Sequence, residues 1–208
     1  MPSINVKNFS EFKKRLKAVQ ALGADWAHLD IADGKFTKIK LWNNPKELKV
    51  KSSKLKVNLE AHLMVKNLDT VLKDWLAAGV KRVIVHVESA KDILAILKQC
   101  QAKKAELALA LNPDTPAGRI LPYKNLVKQV LVLAVQPGPA GQRFKASQLK
   151  KIKSLRQKMP GVKIEVDGGI NLKTAKLCKK AGAEMLVSAA YIFGSENPRA
   201  AYRQLRRI

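Results

Sequence analysis

The 208 residues can form one large domain or two small ones, and 47% hydrophobic with 27% charged residues supports a packed core. No apolar run approaches the roughly 18 residues of a membrane helix. The start "MPSINVKNFSEFKKRLKAV" also lacks the apolar stretch of a secretory signal, so a cytoplasmic protein that does not engage a membrane is expected. With 40 Lys and Arg against 16 Asp and Glu, net +24, the chain attracts anions, but charge alone does not choose among phosphorylated metabolites, nucleic acid and acidic lipid.

In chain order, "SINV" reads as a short strand and "FSEFKKRLKAVQAL" as an amphipathic helix with Ser10 as candidate cap. "DWAHLDIA" alternates like a strand, a weak helix is expected after "NNPKELKV", and "KVNLEAHLMV" is the third strand. "LDTVLKDWLAAG" predicts a helix closed by Gly79. "KRVIVHVES", "AKDILAILKQCQAK" and "ELALALN" follow as strand, helix and strand, then a short helix near Thr115. A strand over Leu131 to Val135 leads to "SQLKKIKSLRQKM", whose Leu149, Ile152, Leu155 and Met159 share one face while the lysines take the solvated one. "KIEVDGG" (strand), "NLKTAKLCKKAG" (helix), "MLVSAAYIF" (strand) and "NPRAAYRQLRRI" (helix) complete the chain. Cys100 and Cys178 have no metal-like spacing and read as buried, reduced thiols.

Eight strand–helix units imply the α/β class, a parallel sheet with right-handed crossovers, and a single (β/α)8 barrel over residues 1–208. A doubly wound open sheet is the alternative, though no G-x-G-x-x-G follows the first strand.

The chemistry of such a barrel sits at the C-terminal ends of its strands, where polar residues interrupt the apolar runs. His28 and Asp30 are two apart and share one side of strand two. His62 lies near the end of strand three, and Asp167 ends strand seven. Singly, a strand histidine is more often a hydrogen-bonded core residue, and Asp before two glycines is often a turn. Together, two imidazoles and two carboxylates suit a divalent metal: Zn, Fe, Mn or Co. His86 reads as a core residue or an outer partner, not a ligand. Small-residue loops, "PGPAGQRF", "DGGIN" and "SAAYIFG", follow strands six, seven and eight, where backbone amides can approach a phosphate. The helix start at Asn171 would add a favourable dipole.

"GADWAHLDIADGKF", "HLMV", "VIVHVES", "LNPDTP", "VQPGPAGQRF", "IEVDGGIN" and "IFG", in this order, resemble the ribulose-phosphate 3-epimerase family over nearly the whole chain. The D-x-K-x-x-D signature of related decarboxylases and aldolases is not matched. The resemblance implies a TIM barrel of the ribulose-phosphate-binding type that interconverts D-ribulose 5-phosphate and D-xylulose 5-phosphate. It implies His28, Asp30, His62 and Asp167 as metal ligands, and Asp30 with Asp167 as the acid/base pair. Ala140, Gly141, Gly168, Gly169, Ala189 and Ala190 would grip the phosphate, and Met64 would line the substrate pocket. A pair of aspartates suits the reaction, since the C3 proton lies next to a ketone and inversion needs a base on one face and an acid on the other.

The chain departs from the family where a serine usually ends the first strand, a place Val6 is expected to occupy. Ala32 and Leu133 replace methionines, "GPAGQ" replaces "GFGGQ", Ala189-Ala190 replaces Gly-Ser, and "TKIKLWNNP" lacks the usual Pro-Asn and Gly. A neighbouring reading is therefore epimerisation of a different ketose phosphate. A reading from another class is a non-catalytic barrel that binds nucleic acid or another polyanion through its basic surface. The expected partners are a phosphorylated ketose and further copies of the chain, with nucleic acid disfavoured.

Overall fold

The computed structural model describes residues 1–49 and 55–208. Its eight parallel strands follow one another in chain order in one sheet with helices between them, the (β/α)8 barrel expected. The chain divides into two compact units, Ser3–Leu107 and Ala108–Ile208 with Met1–Pro2.

The Ser3–Leu107 half contains β1 (Ser3–Ile4), α1 (Phe9–Ala21), β2 (Trp26–Ala32), α2 (Pro45–Lys49), β3 (Asn58–Met64), α3 (Leu68–Ala77), β4 (Arg82–His86) and α4 (Ile93–Ala102). α1 buries Phe12, Leu16 and Val19, spaced at one helical face. Its cap is Asn8 rather than Ser10. Asn8 Oδ1 accepts from Glu11 N at 2.9 Å, and Glu11 reaches back to Lys7 N at 3.0 Å. α3 buries Trp75, whose indole donates to Asn43 Oδ1 at 2.9 Å. Gly79 follows with φ 87°, a left-handed position that favours glycine. The weak helix expected after "NNPKELKV" falls mainly on residues 50–54, outside the described residues, and α2 precedes it.

The other half contains most of β5 (Glu106–Leu111), then β6 (Gln129–Leu133), α5 (Gln148–Lys158), β7 (Lys163–Asp167), α6 (Leu172–Ala181), β8 (Met185–Val187), α7 (Ala190–Phe193) and α8 (Pro198–Arg206). The helix expected near Thr115 is two 3-10 turns, Ala117–Arg119 and Leu121–Tyr123. Pro116, Gly118 and Pro122 deny this segment the donors and stiffness of an α-helix. β8 is also shorter than "MLVSAAYIF" suggests. Ser188 N donates to Met1 O at 3.0 Å and Ser188 Oγ to Ile170 O at 2.9 Å, after which the alanines begin α7.

Cys100 and Cys178 are free and buried, and burial pushes their thiols up to about 11 and about 12. No helix among the described residues is long and apolar enough to cross a membrane.

Candidate active site

Strand register assembles the polar residues of the Ser3–Leu107 half. Ser3 pairs with His28, His28 with Glu60, and Glu60 with Arg82, one residue from each of β1 to β4. Two residues further along, Asp30 pairs with His62. Side chains two apart on a strand share a face, so His28, Asp30, Glu60 and His62 form a compact patch.

All four are buried. Asp30 Oδ1 lies 3.0 Å from His62 Nδ1 and 3.3 Å from His28 Nε2, and the two ring nitrogens are 3.2 Å apart. Ligand atoms of His28, Asp30 and His62 thus fall within 4.8 Å of one another. The outer ring nitrogens have partners of their own. His28 Nδ1 lies 2.7 Å from Glu60 Oε1, a carboxylate whose other oxygen accepts from Arg82 Nη1 at 2.7 Å. His62 Nε2 lies 2.8 Å from His86 Nε2, and His86 Nδ1 lies 3.3 Å from Glu88 Oε2. Carboxylates accept, so the protons belong on His28 Nδ1 and His86 Nδ1. His86 Nε2 then accepts from His62 Nε2, and His28 Nε2 and His62 Nδ1 converge on Asp30 Oδ1, donating to it where they carry a proton and offering lone pairs to a cation once that proton is lost. Three converging acceptors with their outer nitrogens tied down suit a metal cation. His86 is therefore an outer partner, as one of its two readings held.

The second oxygen of Asp30 accepts from Ser3 Oγ at 2.9 Å and Asn5 Nδ2 at 3.0 Å. Ser3, not Val6, is thus the β1 residue that reaches the site. Val6 is buried, and its carbonyl accepts from Trp42 N at 2.9 Å. Burial alone would raise the Asp30 pKa, but hydrogen bonds and charge from His28 and His62 hold it well below the usual carboxylate range. Burial pushes His62 down to about 4 despite the opposing pull of Asp30.

The loop after β2 is fixed by Asp33, which accepts from the amides of Lys35, Phe36 and Lys66 at 2.8–2.9 Å. Phe36 thereby packs on His86, ring centroids 4.8 Å apart. Met64 sits with Ala32 and Leu41 in a small buried cluster against Phe36 and Ile39.

In the other half, Asp167 ends β7 half-buried, paired in register with Leu133. Gly168 and Gly169 follow with φ of 102° and 68°. A Cβ at Gly168 would meet Val135 Cγ2 at 2.5 Å, and one at Gly169 would meet Phe144 N at 2.5 Å. Only glycine supplies both the angles and the closeness. Gly141, φ 90°, lies in open space beside exposed Ala140, and Ala189-Ala190 opens α7. At the start of α6, where a favourable dipole is expected, several amides already have side-chain partners. Asn171 Oδ1 takes those of Lys173 and Thr174 at 3.0 and 3.1 Å, and Thr174 Oγ1 takes that of Asn171 at 2.9 Å.

Reading the sequence missed Ser3, Asn5, Glu60 and Arg82. Glu60 carried a usable signal, because "NLEAHLM" sets an acid two residues before His62, the same spacing as His28 and Asp30.

The model of the Ribulose-phosphate 3 epimerase family matches residues 1–193. The cytoplasmic isoform of ribulose-phosphate 3-epimerase from Oryza sativa is 32% identical, over 99% of this chain and 92% of its own length. The ribulose-phosphate 3-epimerase of Methanocaldococcus jannaschii is 34% identical, over 98% and 88%. Among solved structures, a 3-hexulose-6-phosphate synthase is similar with a TM-score of 0.71 at 21% identity, covering 99% of this chain and 98% of that one. KGPDC from Streptococcus mutans has a TM-score of 0.70, at 15% identity and coverage of 99% and 94%. These structural likenesses bear on the fold.

Proposed function

The chain belongs to the ribulose-phosphate 3 epimerase family, an isomerase-class group of ketose-phosphate epimerases, and from that premise we propose that it interconverts D-ribulose 5-phosphate and D-xylulose 5-phosphate with one divalent metal ion. The observation that carries the metal part is the meeting of His28 Nε2, His62 Nδ1 and Asp30 Oδ1 in a buried patch whose outer nitrogens are already engaged. By the family pattern, Asp167 is the fourth ligand. A bound ion would supply positive charge to the substrate oxygens that gain electron density as the C3 proton leaves.

The remaining steps belong to the chain. Asp30 and Asp167 act as base and acid. One removes the C3 proton to leave an enediolate, and the other returns a proton to C3 on the opposite face. Ser3 and Asn5 hold the second oxygen of Asp30, so its carboxylate is oriented before substrate arrives. Gly141, Gly168 and Gly169, with Ala140, Ala189 and Ala190, take the phosphate by backbone amides, and Met64 backs the pocket wall. A cytoplasmic location is our reading, supported by the rice isoform.

The test is a coupled assay on ribulose 5-phosphate, run after chelation and after add-back of Zn, Fe, Mn or Co. Activity should vanish with the metal and return with it. Asp30→Asn and Asp167→Asn should each lower turnover by about 10²–10⁴. Full activity in metal-free protein, or in both variants, would overturn the mechanism.

A further inference from the structure

We propose that Arg82 is a positioning residue for the ligand His28. Arg82 fixes which Glu60 oxygen faces the imidazole, and Glu60 in turn fixes the tautomer of His28. The guanidinium is itself held on three sides within the same half. Its Nη1 donates to Glu60 Oε2 at 2.7 Å, its Nε donates to Glu106 Oε2 at 2.8 Å, and its Cζ lies 4.2 Å from the centroid of the Trp26 ring. Arg82 and Glu60 are buried, whereas the side chain of Glu106 is 61% exposed. A continuous chain therefore runs from a surface carboxylate through Arg82 and Glu60 to His28 Nδ1.

Arginine has only donors, so whatever atom of residue 60 faces it must accept. In this chain both Glu60 oxygens accept, one from Arg82 and one from His28, so a proton is held on His28 Nδ1. Nε2 is then the nitrogen that faces Asp30 and His62, and the one that can offer a lone pair to an ion. Outer partners of this kind are worth about 10- to 100-fold in metal affinity. The consequence for the ion rests on the proposed metal function. The tautomer does not, because it belongs to the metal-free chain.

That separation sets the experiment, which uses nitrogen NMR of histidine-labelled, metal-free protein together with zinc affinity by chelator competition. The wild type should show His28 as the Nδ1–H tautomer. Glu60→Gln is isosteric. Its amide oxygen must face Arg82, so its NH₂ faces His28 Nδ1 and drives the proton to Nε2, with zinc affinity falling at least about 10-fold. Adding Arg82→Met to Glu60→Gln frees the amide to turn over, and the Nδ1–H tautomer should return with much of the affinity. A merely structural role for Arg82 would produce no such rescue. An unchanged tautomer in Glu60→Gln, or no recovery in the double variant, overturns the proposal. If Arg82→Met prevents folding, Arg82→Lys replaces it. The point charge of lysine still demands an acceptor, so Glu60→Gln with Arg82→Lys should keep the Nε2–H form, and a return to Nδ1–H would overturn the proposal. Weak zinc binding in the wild type with the tautomer pattern intact would sink the metal reading and leave the positioning role standing.

Discussion

In the Ser3–Leu107 half, the candidate chemistry is carried by side chains. His28, Asp30, Glu60, His62, Arg82 and His86 are all buried and lie on three neighbouring strands, β2 to β4. In the Ala108–Ile208 half, apart from the Asp167 carboxylate, it is carried by backbone. Asp167 is followed by two glycines at left-handed angles, one against Val135 and the other against Phe144. The charge differs in the same way. α1, α2 and α3 each have an acid in the first turn, whereas α5, α6 and α8 have no acid at all. The first half is therefore sensitive to protonation and to isosteric side-chain changes, and the second to a single added methyl group.

Acid provides the largest test of that contrast. All three histidines of the chain lie in the first half. His62 is held neutral, with its pKa pushed down by burial from 6.5 to about 4. Between those values the unfolded chain binds the extra proton and the folded chain does not, so stability is complete above about pH 6.5 and falls as pH drops towards 4. The loss attributable to this residue is at most about 3 kcal/mol. The lowered pKa of Asp30 adds its own loss only below the ordinary carboxylate range. Urea midpoints of metal-free protein from pH 7.5 to 4 should show this slope, and His62→Gln should flatten it. A slope that persists in the variant would place the acid-sensitive group elsewhere.

A methyl group tests the other half. Gly169→Ala would adopt φ 68° with its Cβ 2.5 Å from Phe144 N, both strain and collision. Gly141→Ala would have φ 90° but open space, strain alone. The first should cost about 1–3 kcal/mol and the second less. In steady-state kinetics, Gly169→Ala should raise KM for the phosphorylated substrate several-fold more than Gly141→Ala, with metal content unchanged in both. Equal effects would mean that the close approach to Phe144 has no bearing on the anion.

The same contrast explains what the sequence reveals. The eightfold alternation, His28, Asp30 and His62 could be read directly, because a period of two and the end of a strand are local properties. Ser3 was hidden because β1 is only two residues long, too short to fix which residue faces the site. Arg82 stands at the polar start of "KRVIV". Only its register opposite Glu60 turns it into a buried partner, and register is a property of two strands. Asn8 was legible and overlooked, for "NFSE" places Glu11 three residues after it, the spacing of a capping box. The end of β8 was illegible, since its stop depends on Ser188 bonding to Met1 and Ile170.

The smallest effect concerns the boundary between loop and helix in the second half. Asn171 caps α6 by accepting from Lys173 and Thr174, and Thr174 Oγ1 donates to Gly169 O at 2.9 Å. Cap and glycine turn therefore share one network, yet they should separate on mutation. Asn171→Ala removes the acceptor for two amides and should lower stability by about 1 kcal/mol, as measured by urea unfolding. Thr174 remains, so the Gly169 carbonyl stays tied and the turn keeps its shape. KM for the phosphorylated substrate should move by less than about twofold on this argument, because amides already satisfied by Asn171 contribute nothing to the anion. A KM that falls in Asn171→Ala would show that the released amides can be recruited and that the cap competes with the ligand. A KM that rises as much as in Gly169→Ala would show that cap and turn act as one unit, and that the phosphate grip extends from the glycines into α6.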